Sequence, residues 1–290
     1  MLKKIKEIDH ADIVIGHNSG AIYPALVACK KLNCPVGFDV EDYHPGEGNN
    51  RTIKTLTLQL FKKTFYKFDY VSFASELIKN RVEKEMGINS KNWVTVLNYF
   101  PSDEFLEPLN EPTGKVKFVW FSQNITSGRG LEEFLSLFDK LKDCELHLYG
   151  NLDKQFFDNR LSQYDNIIIH KPLSQKQLHA ELINYDIGLA LDLANDENRD
   201  LAITNKILAY LQSGLFVVAS GISAHRFILD QHPENGICLT DSDNVTLLKN
   251  LLKNIVTIRA NRNKRHQNLK SFCWENESVL LENKWNQLIN

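Results

Sequence analysis

Ten short runs rich in valine, isoleucine and phenylalanine, separated by longer stretches of helical periodicity, constrain this chain more than any other feature. A strand that is apolar on both faces has to be covered on both faces, and that is the condition of a parallel sheet with helices on either side. The runs predict strands over 12–16, 36–40, 70–73 and 94–97, with helices over 20–32, 51–67 and 76–86 between them. A second set follows over 116–122, 145–149, 167–170, 187–191, 216–219 and 237–239. Its first helix is written in Leu131, Phe134, Leu135, Phe138 and Leu141, whose spacing puts five apolar side chains on one face.

Between the two sets lies YFPSDEFLEPLNEPTG, rich in proline and acid and without periodicity, which reads as a linker. The expected organisation is therefore α/β with two Rossmann-like domains, at 1–108 and 115–270. A last helix is expected over 271–290, with Leu281, Trp285 and Leu288 on one face. The second domain has six expected strands and the first only four, so the first reads as an incomplete doubly wound sheet.

Composition excludes several classes of function. A formal net charge of −2 provides no global basic field, so nucleic acid is not an expected partner. The five cysteines form no C-x-x-C pair, which suggests neither zinc nor a disulfide framework and fits a reducing cytoplasm. The basic opening carries no apolar run long enough for a signal peptide, and no stretch approaches a membrane span.

Five segments are candidates for chemistry. In FVWFSQNITSGRGLEEF a strand runs into a glycine-bearing loop and a helix start, where Gly128, Arg129 and Gly130 would suit an anion; an ordinary turn with a surface arginine uses the same residues. In AITNKILAYLQSGLFVVASG, Thr204 or Asn205 caps a helix that ends at Gly214, and Lys206 stands in its first turn. A cation there opposes the helix dipole, so it needs an anion nearby or plain solvation. FDVEDYHPGEGNN gathers Glu41, Asp42, His44 and Glu47 just past a strand, where open α/β sheets place ligands and where a polar turn would also fall. The DSD at 241–243 precedes a helix and reads as capping rather than as a metal ligand set. In RTIKTLTLQLFKKTFYKF, Ile53, Leu56, Leu60, Phe61, Phe65 and Phe68 share a face beside Lys54, Lys62, Lys63 and Lys67. That face packs on the sheet, or makes peripheral membrane contact through 51–68.

At these residues the chain resembles the large retaining family of GT-B glycosyltransferases, glycosyltransferase family 4 or group 1. TNKILAYLQSGLFVVAS is similar to its donor-site segment and WFSQNITSGRGLEEFL to its first strand and phosphate loop. LHLYGN, HKPLSQKQLHAEL, DIGLALDL and FCWENESVLLENKW follow in family order, and DIVIGHNSGAIYPALVACKKLNCPVGFDVED fits the acceptor domain, with an N-terminally shortened start.

The resemblance implies transfer of a sugar from a nucleotide-diphosphate donor to a glycan or lipid-linked acceptor. Anomeric configuration would be retained and no metal used, in polysaccharide or glycoconjugate assembly in the cytoplasm or at the inner face of the cell membrane. It implies that Arg129 and Lys206 face the diphosphate, with Gly128, Gly130, Thr204 and Asn205 around it and the base near Pro172 and Leu173. Glu41, Asp42 and His44 become the catalytic candidates, and His17, Asn18 and Glu47 lie on the acceptor side. The resemblance also implies that the helix over 271–290 packs back on the first domain. The chain departs from the family at Asn124, where a second cation is common, at Ala209, where a ribose-binding glutamate is usual, and at Glu41, where many members have histidine. Two other readings share the fold, a non-catalytic partner that binds sugar or nucleotide and a sugar-nucleotide 2-epimerase.

Overall fold

The computed structural model describes Ile5 and residues 7–108, 113–240 and 243–290. The chain divides into two compact units. One comprises Met1–Asn98, Ala194–Ile203 and Glu275–Asn290, and the other Tyr99–Leu193 and Thr204–Trp274.

The first unit holds a parallel sheet in the order β1-β2-β3-β4, formed by Val14–His17, Val36–Val40, Tyr70–Phe73 and Trp93–Thr95. Its core is aromatic: Phe38, Phe61, Phe65, Phe73 and Trp93 are buried together, with the Phe61 and Phe65 rings stacked at 4.2 Å between centroids. The helix Arg51–Thr64 starts where Asn50 accepts the amides of Thr52 and Ile53. Its apolar residues do not act as one face. Phe61 is buried and Phe65 follows it into the core, whereas Ile53 and Leu56 are 53% and 60% exposed. The last helix, Trp274–Ile289, puts Leu281, Trp285 and Leu288 against Tyr70 and Val96 in this unit. Trp285 Nε1 donates to Tyr70 Oη at 2.8 Å, and Glu277 accepts the Leu97 amide at 2.9 Å.

The segment Ala194–Ile203 groups with this unit although it lies inside the stretch expected to form the second domain. Buried Leu201 enters the core, and Ser75 Oγ donates to its carbonyl at 2.8 Å. Glu197, on the short helix Glu197–Leu201, accepts from both Lys54 and Arg81. The local sequence does not announce this, because the ties are one buried leucine and a few single polar contacts without periodicity.

The second unit holds a six-stranded parallel sheet ordered β10-β9-β8-β5-β6-β7, from Gly236–Cys238, Phe216–Ala219, Ile187–Ala190, Val116–Ile125, Cys144–Leu152 and Ile167–His170. All the expected strands are found, but β5 and β6 run beyond their expected ends. They pair in step to Phe121 and Tyr149, shift register, and resume at Asn124 and Asn151. Gly150 makes the extension fit: its φ is 153° and a Cβ there would lie 2.4 Å from the Ser122 carbonyl oxygen.

The helix Leu131–Phe138 buries Leu131, Phe134, Leu135 and Phe138 as its spacing predicts. The helix Asn205–Gln212 stops at Gly214, whose φ of 70° is the left-handed turn expected of it. Buried Arg262 donates to the carbonyls of Leu182, Ile183 and Tyr185, and His266 Nδ1 lies 2.8 Å from the Gln212 carbonyl.

The stretch read as a linker is partly fastened. Phe105 stacks on the His179 ring at 4.7 Å, Glu104 lies 2.6 Å from His179 Nδ1, and Phe100 and Gln212 exchange two hydrogen bonds. Its residues 109–112 fall outside the described residues.

Candidate functional site

In the second unit the carboxyl ends of the parallel strands open into a cleft of about 440 Å³. Phe121, Ser122 and Gln123 come from β5, and Tyr149, Gly150 and Asn151 from β6. Pro172, Leu173 and Leu178 line a third wall, and Arg129 and Lys206 complete the lining. Residues from four separated segments of sequence therefore converge on one hollow, in the position where parallel α/β sheets bind ligands.

Arg129 is exposed in the loop after β5, and among the described residues no carboxylate pairs with it. Both flanking glycines have positive φ, 76° at Gly128 and 78° at Gly130. They differ in surroundings. A Cβ on Gly128 would meet nothing, whereas one on Gly130 would press on the Leu191 backbone at 3.1 Å. The Gly128 amide donates to Glu132 Oε1 at 2.7 Å, so this N–H is engaged within the loop. Glu132 and Glu133 in the first turn complement the helix dipole.

Lys206 has the anion that its position demands within the chain itself. Its Nζ donates to Asp192 Oδ1 at 2.9 Å, just past the end of β8. Thr204 occupies the cap position of the helix, yet its hydroxyl donates to Asp192 Oδ2 at 3.0 Å and makes no capping bond. Asn205 is exposed at the first helical position. Burial would raise the Asp192 carboxyl, but His225 and Lys206 outweigh it and hold the group well below the usual carboxylate range. Ala209, where the resemblance led us to look for a glutamate, is fully buried on this helix.

Beneath the cleft, Tyr149 stacks on His170 at 4.4 Å, and His170 Nε2 lies 2.9 Å from His147 Nδ1. Burial lowers the pKa of both imidazoles, with the His170 charge adding to the effect at His147. Burial likewise lowers His179, against the pull of Glu104.

In the first unit the polar residues at the ends of β1 and β2 sort into three groups. His17 Nδ1 lies 3.1 Å from both Asp39 Oδ2 and Glu41 Oε1, and Ser72 Oγ donates to the other Asp39 oxygen. Burial pushes the Asp39 carboxyl up, opposed by the Ser72 hydroxyl and His17. Asp42 accepts from Asn198 Nδ2 at 2.9 Å, and Asn198 Oδ1 accepts the Tyr43 amide at 2.7 Å. His44 Nδ1 lies 2.8 Å from Glu47 Oε1, while its buried Nε2 has no hydrogen-bond partner. Glu41, Asp42 and His44 are thus neighbours in sequence with three different partners. Asn18, at φ 58°, accepts the Gly20 amide and starts the following turn.

Sequence reasoning passed over Asp39, Ser72, Asp192 and Asn198. Two of these carried a signal: Asp39 is an acid inside an apolar strand, and Asp192 is an acid placed directly after one. Of the DSD, Asp241 and Ser242 lie outside the described residues. Asp243 accepts the Thr246 amide at 3.1 Å and caps the helix Asn244–Lys253. Among the described residues no cluster of three or more His, Cys, Asp or Glu side chains could hold a metal ion. No described helix is long and apolar enough to cross a membrane.

No protein-family model matches the chain, and no curated protein matches it in sequence. Solved structures do. A glycosyltransferase from Rickettsia africae superposes with a TM-score of 0.75 at 14% identity, covering 100% of this chain and 79% of that one. Sucrose-phosphate synthase from Thermosynechococcus elongatus gives 0.71 at 13% identity, covering 96% and 73%. HepE from Anabaena, solved with UDP and glucose, gives 0.71 at 13% identity, covering 97% and 79%. The fold is GT-B. Against eight such structures the chain spans between 57% and 80% of the other protein's length.

Proposed function

We propose that this chain is a glycosyltransferase. It moves a sugar from a nucleoside-diphosphate donor to a glycan or lipid-linked acceptor, with retention, in polysaccharide or glycoconjugate assembly on the cytoplasmic side of a membrane. The observation that carries the reading is the single cleft that gathers Arg129, Lys206, Pro172 and Leu173 at the strand ends of a GT-B fold. In transfer, the bond from the sugar C1 to the diphosphate oxygen breaks as C1 bonds to the acceptor oxygen, and the acceptor hydroxyl gives up its proton. Negative charge then builds on the diphosphate. Fixed cations at that place lower the barrier, because they interact most strongly once the charge has formed. We assign this role to Arg129 and Lys206. Gly128, Gly130, Thr204 and Asn205 shape the loop and helix start around them, and the base rests against Pro172 and Leu173. UDP in the Anabaena structure is the chemistry such a cleft would accept.

On the acceptor side we assign proton handling to Glu41 with His17, since these two share contact and Asp39 backs them. Asp42, His44 and Glu47, engaged with Asn198 and with each other, shape the loop, and Asn18 shapes the turn beside it. The proposal includes no metal. It includes peripheral membrane contact through 51–68, supported by exposed Ile53 and Leu56 on a helix that also exposes Arg51, Lys62 and Lys63.

Titration calorimetry with UDP and a panel of nucleotide sugars tests the donor site. Arg129→Ala and Lys206→Ala should each weaken UDP binding by roughly 10- to 100-fold, the scale of a lost charge-assisted hydrogen bond. Unchanged affinity in both variants rejects the assignment. Product analysis without acceptor separates transfer from epimerisation, since only an epimerase would alter the donor sugar alone.

A further inference from the structure

The ammonium of Lys206 does not reach the donor cleft as a free side chain. It is held by Asp192, and the way Asp192 is itself held is unusual for a surface-proximal carboxylate. Its backbone amide donates to Ser220 Oγ at 3.0 Å, and Ser220 Oγ donates back to the Asp192 carbonyl at 2.6 Å. Oδ1 takes Lys206, and Oδ2 takes the Thr204 hydroxyl. Behind it stands His225, fully buried, with Nδ1 at 3.1 Å from the Ser220 carbonyl. Its Nε2 faces Asp192 Oδ2 at 3.5 Å and has no hydrogen-bond partner. A fully buried imidazole nitrogen without a partner is costly unless it serves the group it faces.

We propose that Asp192 is the positioning residue of the donor site, a fixed bracket that aims Lys206 into the cleft, with His225 as its buried backing. The proposal rests on the donor-site reading of the same cleft. Three features lead to it. A free lysine spends rotamer entropy whenever it grips a ligand, and a lysine already held in place has spent it beforehand. An ammonium has three N–H donors, of which Asp192 takes one, so two are left for a diphosphate. The bracket also explains why a cation is stable in the first turn of the helix Asn205–Gln212, where the dipole opposes it. The two bonds between its main chain and Ser220 fix the backbone from which the carboxylate projects, and Thr204 and Lys206 hold the carboxylate itself.

The test is a double-mutant cycle read by calorimetry with UDP, on wild type, Asp192→Ala, Lys206→Ala and the double variant. Asp192→Ala should weaken UDP binding about 5- to 10-fold, and in the Lys206→Ala background it should change affinity less than 2-fold, because the bracket then has nothing to hold. An equal loss in both backgrounds would mean a general structural role and would overturn the proposal, as would tighter binding by Asp192→Ala. If Asp192→Ala fails to fold, Asp192→Asn keeps the shape and an acceptor for Lys206, and it should lose affinity only where Lys206 is present. If wild type binds no UDP, the donor-site reading fails, and the bracket is then read by itself. Acylation of Lys206 by acetic anhydride, followed by mass spectrometry, should be at least 3-fold faster in Asp192→Asn than in wild type. Equal rates would show that Lys206 is not held.

Discussion

Gly150 offers the sharpest test of how the cleft of the second unit is built. Where strands β5 and β6 pass their register shift, the chain at Gly150 takes a φ of 153°, a conformation that side chains resist. A Cβ there would stand 2.4 Å from the Ser122 carbonyl oxygen and 3.1 Å from Ile125 Cγ1. The first neighbour is backbone inside a paired strand, so it cannot rotate away, and the strands must part by the better part of an ångström. Overpacking of this kind costs about 1–3 kcal/mol and the backbone strain about 1–3 kcal/mol more. Restricting the unfolded chain returns about 0.4–1 kcal/mol.

Gly150→Ala should therefore destabilise the second unit by about 2–5 kcal/mol, or roughly 5–20 °C in Tm for a unit of this size. Gly128→Ala is the control. Gly128 has φ 76° but open space around its Cβ position, so only the left-handed strain of about 1–2 kcal/mol applies, less the same entropic return. Hydrogen exchange of the β5 and β6 amides reads this unit separately from the other. Because Ser122 and Gly150 both line the cleft, Gly150→Ala should also weaken UDP binding. Equal destabilisation by the two alanines, or a Gly150→Ala protein within about 2 °C of wild type, would refute the argument from the Ser122 contact.

Further expectations follow from the same geometry. Burial holds His147, His170 and His179 below their ordinary pKa, so the unfolded chain binds more protons than the folded one once pH falls below about 6.5. Stability from these groups is present above that pH and declines as pH drops through it. Protection factors in β6, β7 and the helix Gln175–Glu181, corrected for the intrinsic pH dependence of amide exchange, should fall between pH 7.5 and 5.5, and unchanged protection would contradict it. Glu197→Ala removes the anion shared by Lys54 and Arg81. It should speed exchange in Ala194–Ile203 by several-fold while leaving β5 and β6 unchanged. Replacing Ile53 and Leu56 by serine should leave the fold intact, since both are exposed, and should abolish co-sedimentation with anionic vesicles if 51–68 contacts a membrane.

The strands were legible because burial on both faces is written directly as composition, and each of the expected runs lies on an observed strand. Where β5 and β6 continue, the sequence turns polar at Ser122, Gln123 and Asn124, and polarity hid a pairing that depends on one glycine conformation. The amphipathic reading of Arg51–Thr64 went further than the packing does: Phe61 and Phe65 reach the core, and Ile53 and Leu56, on the same projected face, are left outside. Periodicity tells which residues share a side of a helix, and it says nothing about where along the helix its neighbour ends.

Part of the lining of the cleft was legible for the same reason. Arg129, Lys206, Pro172 and Leu173 were read from local segments, and the cleft unites them because strand ends in a parallel sheet point one way. What could not be read is which charge answers which. Lys206 against its helix dipole called for an anion or for plain solvation, and the sequence allowed a ligand to be that anion. The structure supplies Asp192, fourteen residues earlier at the end of another strand. That contact changes the meaning of the lysine. A free cation would attract any anion, whereas a bracketed one presents its remaining donors in fixed directions, and under the proposed donor role it is direction that would favour a diphosphate in the act of leaving over one merely bound.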